Sequence, residues 1–133
     1  MALNIELLRS SFALVVEREP EMTTRFYDVL FKSYPEVKPL FSRRGRSEQE
    51  RMLRDVLVAV MDHLDDSAWL ASQLQALGTK HVEYGVRPEM YGWVGASLLE
   101  TLKDVAGEDW TPDVAAAWTE AYGAIAGLMQ AKA

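Results

Sequence analysis

His81 interrupts the helical stripe of Leu70, Leu74 and Leu77, at the position where the spacing calls for one more leucine. An imidazole on a core-facing stripe has two uses: it bonds a backbone carbonyl as a satisfied core residue, or it ligates the metal of a buried cofactor. A second polar interruption, Gln49, lies 32 residues earlier, on a stripe whose other inward positions are Leu53, Val56, Val60 and Leu64. An amide turned toward a core must find partners or lose roughly 1 to 3 kcal/mol, unless it sits in the first helical turn and bends out to water. The other histidine, His63, is 14 residues past Gln49, flanked by Asp62, Asp65 and Asp66. That is about 21 Å along a helix axis at 1.5 Å per residue, so His63 is expected at the surface, away from Gln49.

The elements that must carry these residues are helices. Ser47 with Glu50 reads as a capping box that opens the Gln49 helix, and Glu50, Arg51, Arg54, Asp55 and Asp62 occupy its opposite face. Before it, residues 4–18 place Ile5, Leu8, Phe12, Val15 and Val16 at helical spacing behind Asn4 as N-cap, and Glu19-Pro20 breaks the pattern. Residues 21–34 resume it with the aromatic-rich face of Phe26, Tyr27, Leu30, Phe31 and Tyr34. Pro35 opens a short helix closed by Pro39-Leu40-Phe41, and residues 42–47 form the most loop-like stretch. Asp65-Asp66-Ser67 supplies a turn and the N-cap of the His81 helix, which runs toward Gly85. Arg87-Pro88-Glu89 opens a helix with Tyr91, Val94, Leu98, Leu102 and Val105 inward, ending at Gly107. Thr111-Pro112-Asp113 opens the last, whose stripe is Val114, Trp118, Tyr122, Ile125 and Met129. No alternating strand pattern, hairpin turn or internal repeat appears. The fold class is all-α.

With 133 residues, 49% of them hydrophobic, the chain fits one domain over residues 1–133. A net charge of -6 argues against nucleic acid as a partner. The absence of cysteine excludes disulfide scaffolds, thiol catalysis and cysteine metal sites. The N-terminal residues show no basic segment followed by an apolar run, and no stretch approaches the length of a membrane span. A soluble, cytoplasmic protein with no membrane partner is the expectation.

The order and spacing of Phe26-Tyr27, Pro35-Glu36-Val37, Leu40-Phe41, Gln49 with Leu53, Leu77 with His81, Tyr91, Ala117-Trp118 and Ala121-Tyr122-Gly123 resemble those of single-domain bacterial haemoglobins. The similarity extends to the haem domains of flavohaemoglobins and covers residues 5 to 130. It implies a globin fold around a buried haem b. His81 matches the proximal histidine that coordinates the iron. Leu77 matches the residue packed beneath the porphyrin, and Phe41 the phenylalanine that wedges it. Tyr27 and Gln49 match the tyrosine and glutamine of the distal pocket, lined also by Leu53 and Met52, and Lys80 matches a lysine that reaches a haem propionate. Tyr91 matches a tyrosine that, with a glutamate on the last helix, polarises the proximal histidine. The glutamate would fall about one residue past Ala133, so weaker electron push and little peroxidase activity are expected.

On ferrous haem, dioxygen gains partial negative charge and carbon monoxide little, so hydroxyl and amide donors favour dioxygen. The resemblance therefore implies a haem protein that binds dioxygen tightly and releases it slowly, with carbon monoxide and nitric oxide as further ligands. It implies oxidation of nitric oxide to nitrate with an external reductase, because this sequence lacks the Gly-rich nucleotide loop of the flavin reductase that follows in flavohaemoglobins. Two other readings stay open: oxygen storage, delivery, transport or sensing without turnover, and a haem-free globin-fold sensor. Two local alternatives also remain. Tyr27 itself could ligate ferric iron, and a one-residue slip would bring Glu48 and Met52 into the pocket in place of Gln49 and Leu53. Arg43, Arg44 and Arg46 read as a solvated loop, available to propionates or to an acidic reductase.

Overall fold

The structure is a computed structural model that describes residues 4–41 and 45–130. Arg43 and Arg44 of the expected basic loop lie outside the described residues. Six α-helices carry the described chain: α1 (Ile5–Arg18), α2 (Met22–Ser33), α3 (Arg46–Asp62), α4 (Ser67–Glu83), α5 (Pro88–Ala106) and α6 (Pro112–Gln130). Short 3-10 helices at Pro35–Phe41 and Gly107–Asp109 complete it, and there is no strand among the described residues.

Three of the N-termini are set by the side chains that the sequence marks. Asn4 Oδ1 accepts from Leu7 N at 3.3 Å, Asp66 Oδ1 from Trp69 N at 3.1 Å, and Thr111 Oγ1 from Val114 N at 3.2 Å. The capping box at Ser47 does not form. Helix α3 begins two residues earlier, behind Gly45, which provides no side-chain cap. Glu50 is drawn sideways instead, accepting from Arg46 Nε at 2.8 Å and from Thr24 Oγ1 of α2 at 2.6 Å.

Helix α5 is central, packing on α1, α2 and α6, while α4 packs on α6 and α3 on α2. The core closes where Leu8, Phe12 and Val15 of α1 meet Leu98 and Leu102 of α5 and Trp118 of α6. Trp118 is almost fully enclosed, and its indole N–H donates to Ser11 Oγ at 2.8 Å. Ser11 in turn donates to the Leu7 carbonyl at 2.6 Å, so this buried polar pair is satisfied.

Two stripes divide in a way that their periodicity does not show. On α3, Leu57, Val60 and Met61, followed by Leu64, are buried in the core, whereas Gln49, Leu53 and Val56 of the first turns are only half-buried. On α4, Leu70, Leu74 and Gly78 are buried, while Leu77 and His81 are half-buried. In each helix one row seals the core and a neighbouring row stays accessible.

Candidate functional site

Helix α2 presents Phe26, Tyr27 and Leu30 inward, and the 3-10 helix that follows it brings Phe41 back against them. The Tyr27 ring meets Phe26 at 5.0 Å and Phe41 at 5.4 Å, both edge-on, and Phe31 at 5.6 Å. Tyr27, Phe31 and Phe41, with Lys38, Arg46 and Gln49, line a cavity of about 220 Å³. Burial pushes the Tyr27 phenol up to about 12; Glu50 adds to the rise and Arg46 opposes it. Tyr27 is therefore a neutral hydroxyl at ordinary pH. Among the described residues no side chain takes up the Tyr27 hydroxyl or the Gln49 amide, so both can turn to a guest in the cavity. Gln49 lines the cavity and is half-buried, whereas Glu48 is exposed. Leu53 is half-buried one turn along, and Met52 is 39% exposed.

Helix α4 supplies the opposite chemistry. His81 Nδ1 lies 2.8 Å from the Leu77 carbonyl, which can only accept, so Nδ1 carries a proton and in the neutral ring the lone pair is on Nε2. Leu77 stands one turn before it, half-buried, and Lys80 is exposed. The Tyr91 ring centroid is 6.5 Å from that of His81, and burial raises its hydroxyl pKa. Glu83 is exposed. His63 makes the same carbonyl contact, to Ala59 at 2.8 Å, but its ring is stacked flat on Trp69 at 3.7 Å. It caps α3 at the end remote from Gln49.

Two close approaches hold the His81 side in place, and the periodicity of the sequence passes over both. A Cβ on Gly78 would lie 1.7 Å from the Met129 carbonyl oxygen, so α4 rests backbone to backbone on α6 one turn before His81. A Cβ on Gly95 would lie 2.5 Å from the Tyr122 ring. Seated over Gly95, Tyr122 donates its hydroxyl to the Tyr91 carbonyl at 2.6 Å, fixing the turn of α5 that bears Tyr91. The available signal was glycine itself, which costs about 1 kcal/mol relative to alanine inside a helix and so marks a tight contact there.

Residues 24–129 match the family model described as Globin. The chain belongs to the globin family. This globin is 33% identical over 124 residues to the flavohemoprotein of Bacillus subtilis (strain 168), covering 92% of this chain and 31% of that protein. It is 36% identical over 125 residues to the flavohemoprotein of Bacillus anthracis, covering 92% of this chain and 30% of that one. It thus spans about three-tenths of the length of these relatives. Among solved structures, a bacterial globin from Campylobacter jejuni superposes with a TM-score of 0.78 at 27% identity, over 94% of this chain and 90% of that one. An engineered carbene transferase, a proposed nitric oxide dioxygenase from Rhodothermus marinus, superposes with a TM-score of 0.81 at 27% identity, over 94% and 87%.

The residues of this globin fit a haem. An axial imidazole binds through a free Nε2, and the Leu77 carbonyl at His81 Nδ1 leaves Nε2 as the nitrogen available to a metal. A porphyrin needs apolar walls that its own faces can cover, and Phe41, Leu53 and Leu77 are partly buried hydrophobics at the edge of the core. No helix of the described residues is long and apolar enough to cross a membrane, and no cluster of acidic residues and histidines among them could hold a metal ion by itself.

Proposed function

We propose that this globin binds haem b through His81, holds dioxygen tightly beside Tyr27 and Gln49, and oxidises nitric oxide to nitrate with a reductase as electron source. The observation that carries the reading is the convergence of a neutral, desolvated tyrosine hydroxyl and a glutamine amide on one cavity. Haem, when bound, would supply the iron at which dioxygen and nitric oxide react. His81 would hold it by Nε2, with Nδ1 anchored on the Leu77 carbonyl. Phe41, Leu53 and Leu77 would pack on its faces, and Met52 would line the distal space. Lys80, exposed next to His81, would pair with a propionate.

The Tyr27 hydroxyl donates to a partly negative guest and has nothing to gain from ionising, because burial holds its proton. Gln49 donates from α3 into the same cavity. The flavohemoprotein relatives and the Rhodothermus relative support turnover, and storage or sensing of oxygen without turnover is the reading that the same pocket allows if no reductase serves it.

Absorption spectra of the purified protein in ferric, ferrous, oxygen-treated and carbon-monoxide-treated forms test the cofactor and the pocket together. Haem bands that respond to each ligand are expected. Protein that folds yet takes up no added haem would end the reading. Nitric oxide consumption with a flavin reductase and reduced nicotinamide, yielding nitrate, then separates turnover from binding alone.

A further inference from the structure

We propose that Arg46 is a positioning residue that clamps the first turn of α3 onto α2 and thereby sets Gln49 against Tyr27. This rests on the distal role of Gln49 proposed above. The Arg46 guanidinium donates to the Thr24 carbonyl at 2.8 Å, to Asp28 Oδ1 at 2.5 Å and to Glu50 Oε2 at 2.8 Å. Glu50 Oε1 accepts in turn from Thr24 Oγ1 at 2.6 Å, so two separate bonds cross from the α3 turn to the same residue of α2. The guanidinium also lies 5.8 Å from the centre of the Phe31 ring, which packs on both Tyr27 and Phe41.

The placement explains why this network acts on the pocket. Thr24, Asp28 and Phe31 lie one behind another along α2, and Tyr27 belongs to the turn between them. Arg46 and Gln49 are three residues apart on α3, hence neighbours on one face. Helix α3 has no side-chain N-cap, so its first turn is held at this point by the clamp in place of a cap. Isolated exposed ion pairs are weak, but a planar fork that meets a carbonyl and two carboxylates is geometrically specific. Lysine, with one flexible ammonium, cannot reproduce it.

Three variants test the clamp: Arg46→Ala, Arg46→Lys, and Arg18→Ala as a control. Arg18 also ties two elements through a carbonyl and a carboxylate, Ala106 O and Asp109, away from the pocket. Hydrogen exchange of the backbone amides of residues 49–53 needs no haem, and it should speed up about three- to tenfold in both Arg46 variants and stay unchanged in Arg18→Ala. In the haem-loaded protein, oxygen dissociation should speed up about three- to tenfold in both, the rate equivalent of one displaced hydrogen bond. In a Gln49→Leu background the same substitutions should change it by less than about twofold, because the group being positioned is gone. Wild-type kinetics in Arg46→Lys would show a charge effect instead of a clamp and overturn the proposal. So would an equal Arg46→Ala effect with and without Gln49. If the protein takes up no haem, the proposed function fails on its spectrum, and unchanged exchange at residues 49–53 would independently overturn the clamp.

Discussion

The Tyr27 hydroxyl is held neutral and the His81 ring is held in one orientation, by different means. Burial keeps the phenol neutral up to about pH 12, and a backbone carbonyl keeps the imidazole proton on Nδ1. Each state has a measurable consequence. His81→Ala should abolish or severely weaken haem binding, whereas His63→Ala should leave the haem spectrum unchanged, because His63 is committed to Ala59 and Trp69; titration of the two variants with haem, followed by absorption, checks this. Removing the Tyr27 donor should cost roughly 1.5 to 3 kcal/mol, as hydrogen bonds to charged groups do. With tenfold in rate for each 1.4 kcal/mol, oxygen dissociation should then rise about ten- to hundredfold in Tyr27→Phe. Gln49→Leu should have a smaller effect, and carbon monoxide dissociation should change little in either. The double variant should be non-additive if the two groups orient each other. Stopped-flow displacement of oxygen by carbon monoxide reads these rates, and an oxygen off-rate in Tyr27→Phe within about twofold of wild type would remove Tyr27 from the distal role.

At the scale of elements, the histidine is only as well placed as the helix under it. Helix α4 lies on α6 with Gly78 against the Met129 carbonyl, a contact that a methyl group would overrun. Gly78→Ala gains about 1 kcal/mol of helix propensity, but overpacking against a backbone costs typically 1 to 3 kcal/mol. The net change should be destabilising, and displaced α4 should lose haem faster; urea unfolding and transfer of haem to an acceptor apoglobin measure the two effects. Gly123, on α6 with open space around it, is the counter-case. Gly123→Ala should stabilise by about 0.5 to 1 kcal/mol and leave haem transfer unchanged.

For the whole molecule, buried phenols make stability depend on pH in the alkaline range. Burial raises Tyr27 to about 12 and Tyr122 further, the latter with an added contribution from Tyr91. Above pH 10 the unfolded chain gives up these protons while the folded chain keeps them, so their stabilising contribution is complete below about 10 and is lost as pH rises through 12. Each such tyrosine is worth about 1.4 kcal/mol per pH unit in that window. Urea melts of the haem-free protein between pH 9 and 12 should show the decline, with a shallower slope in Tyr122→Phe. An equally steep slope in that variant would mean that Tyr122 ionises in the folded protein as freely as in the unfolded chain.

The amphipathic repeats determined the helices. The pattern from Ile5 to Met129 specified all-α elements, their order and most of their ends, and polar residues at inward positions singled out His81 and Gln49 before any coordinates. Periodicity could do this because it records which side of a helix avoids water. It could not say which of two adjacent rows meets which neighbour. Leu70, Leu74 and Gly78 turn to α6 while Leu77 and His81 remain half-buried, and Leu57 and Met61, absent from the apparent stripe, are core. Glu50 reads as half of a capping box until Thr24 and Arg46 compete for its carboxylate, and Arg46 reads as part of a solvated loop until α2 lies beside it. Those outcomes depend on how helices far apart in the chain cross and on which partners their side chains then reach. Local spacing carries no term for that, and only the tertiary structure decided it.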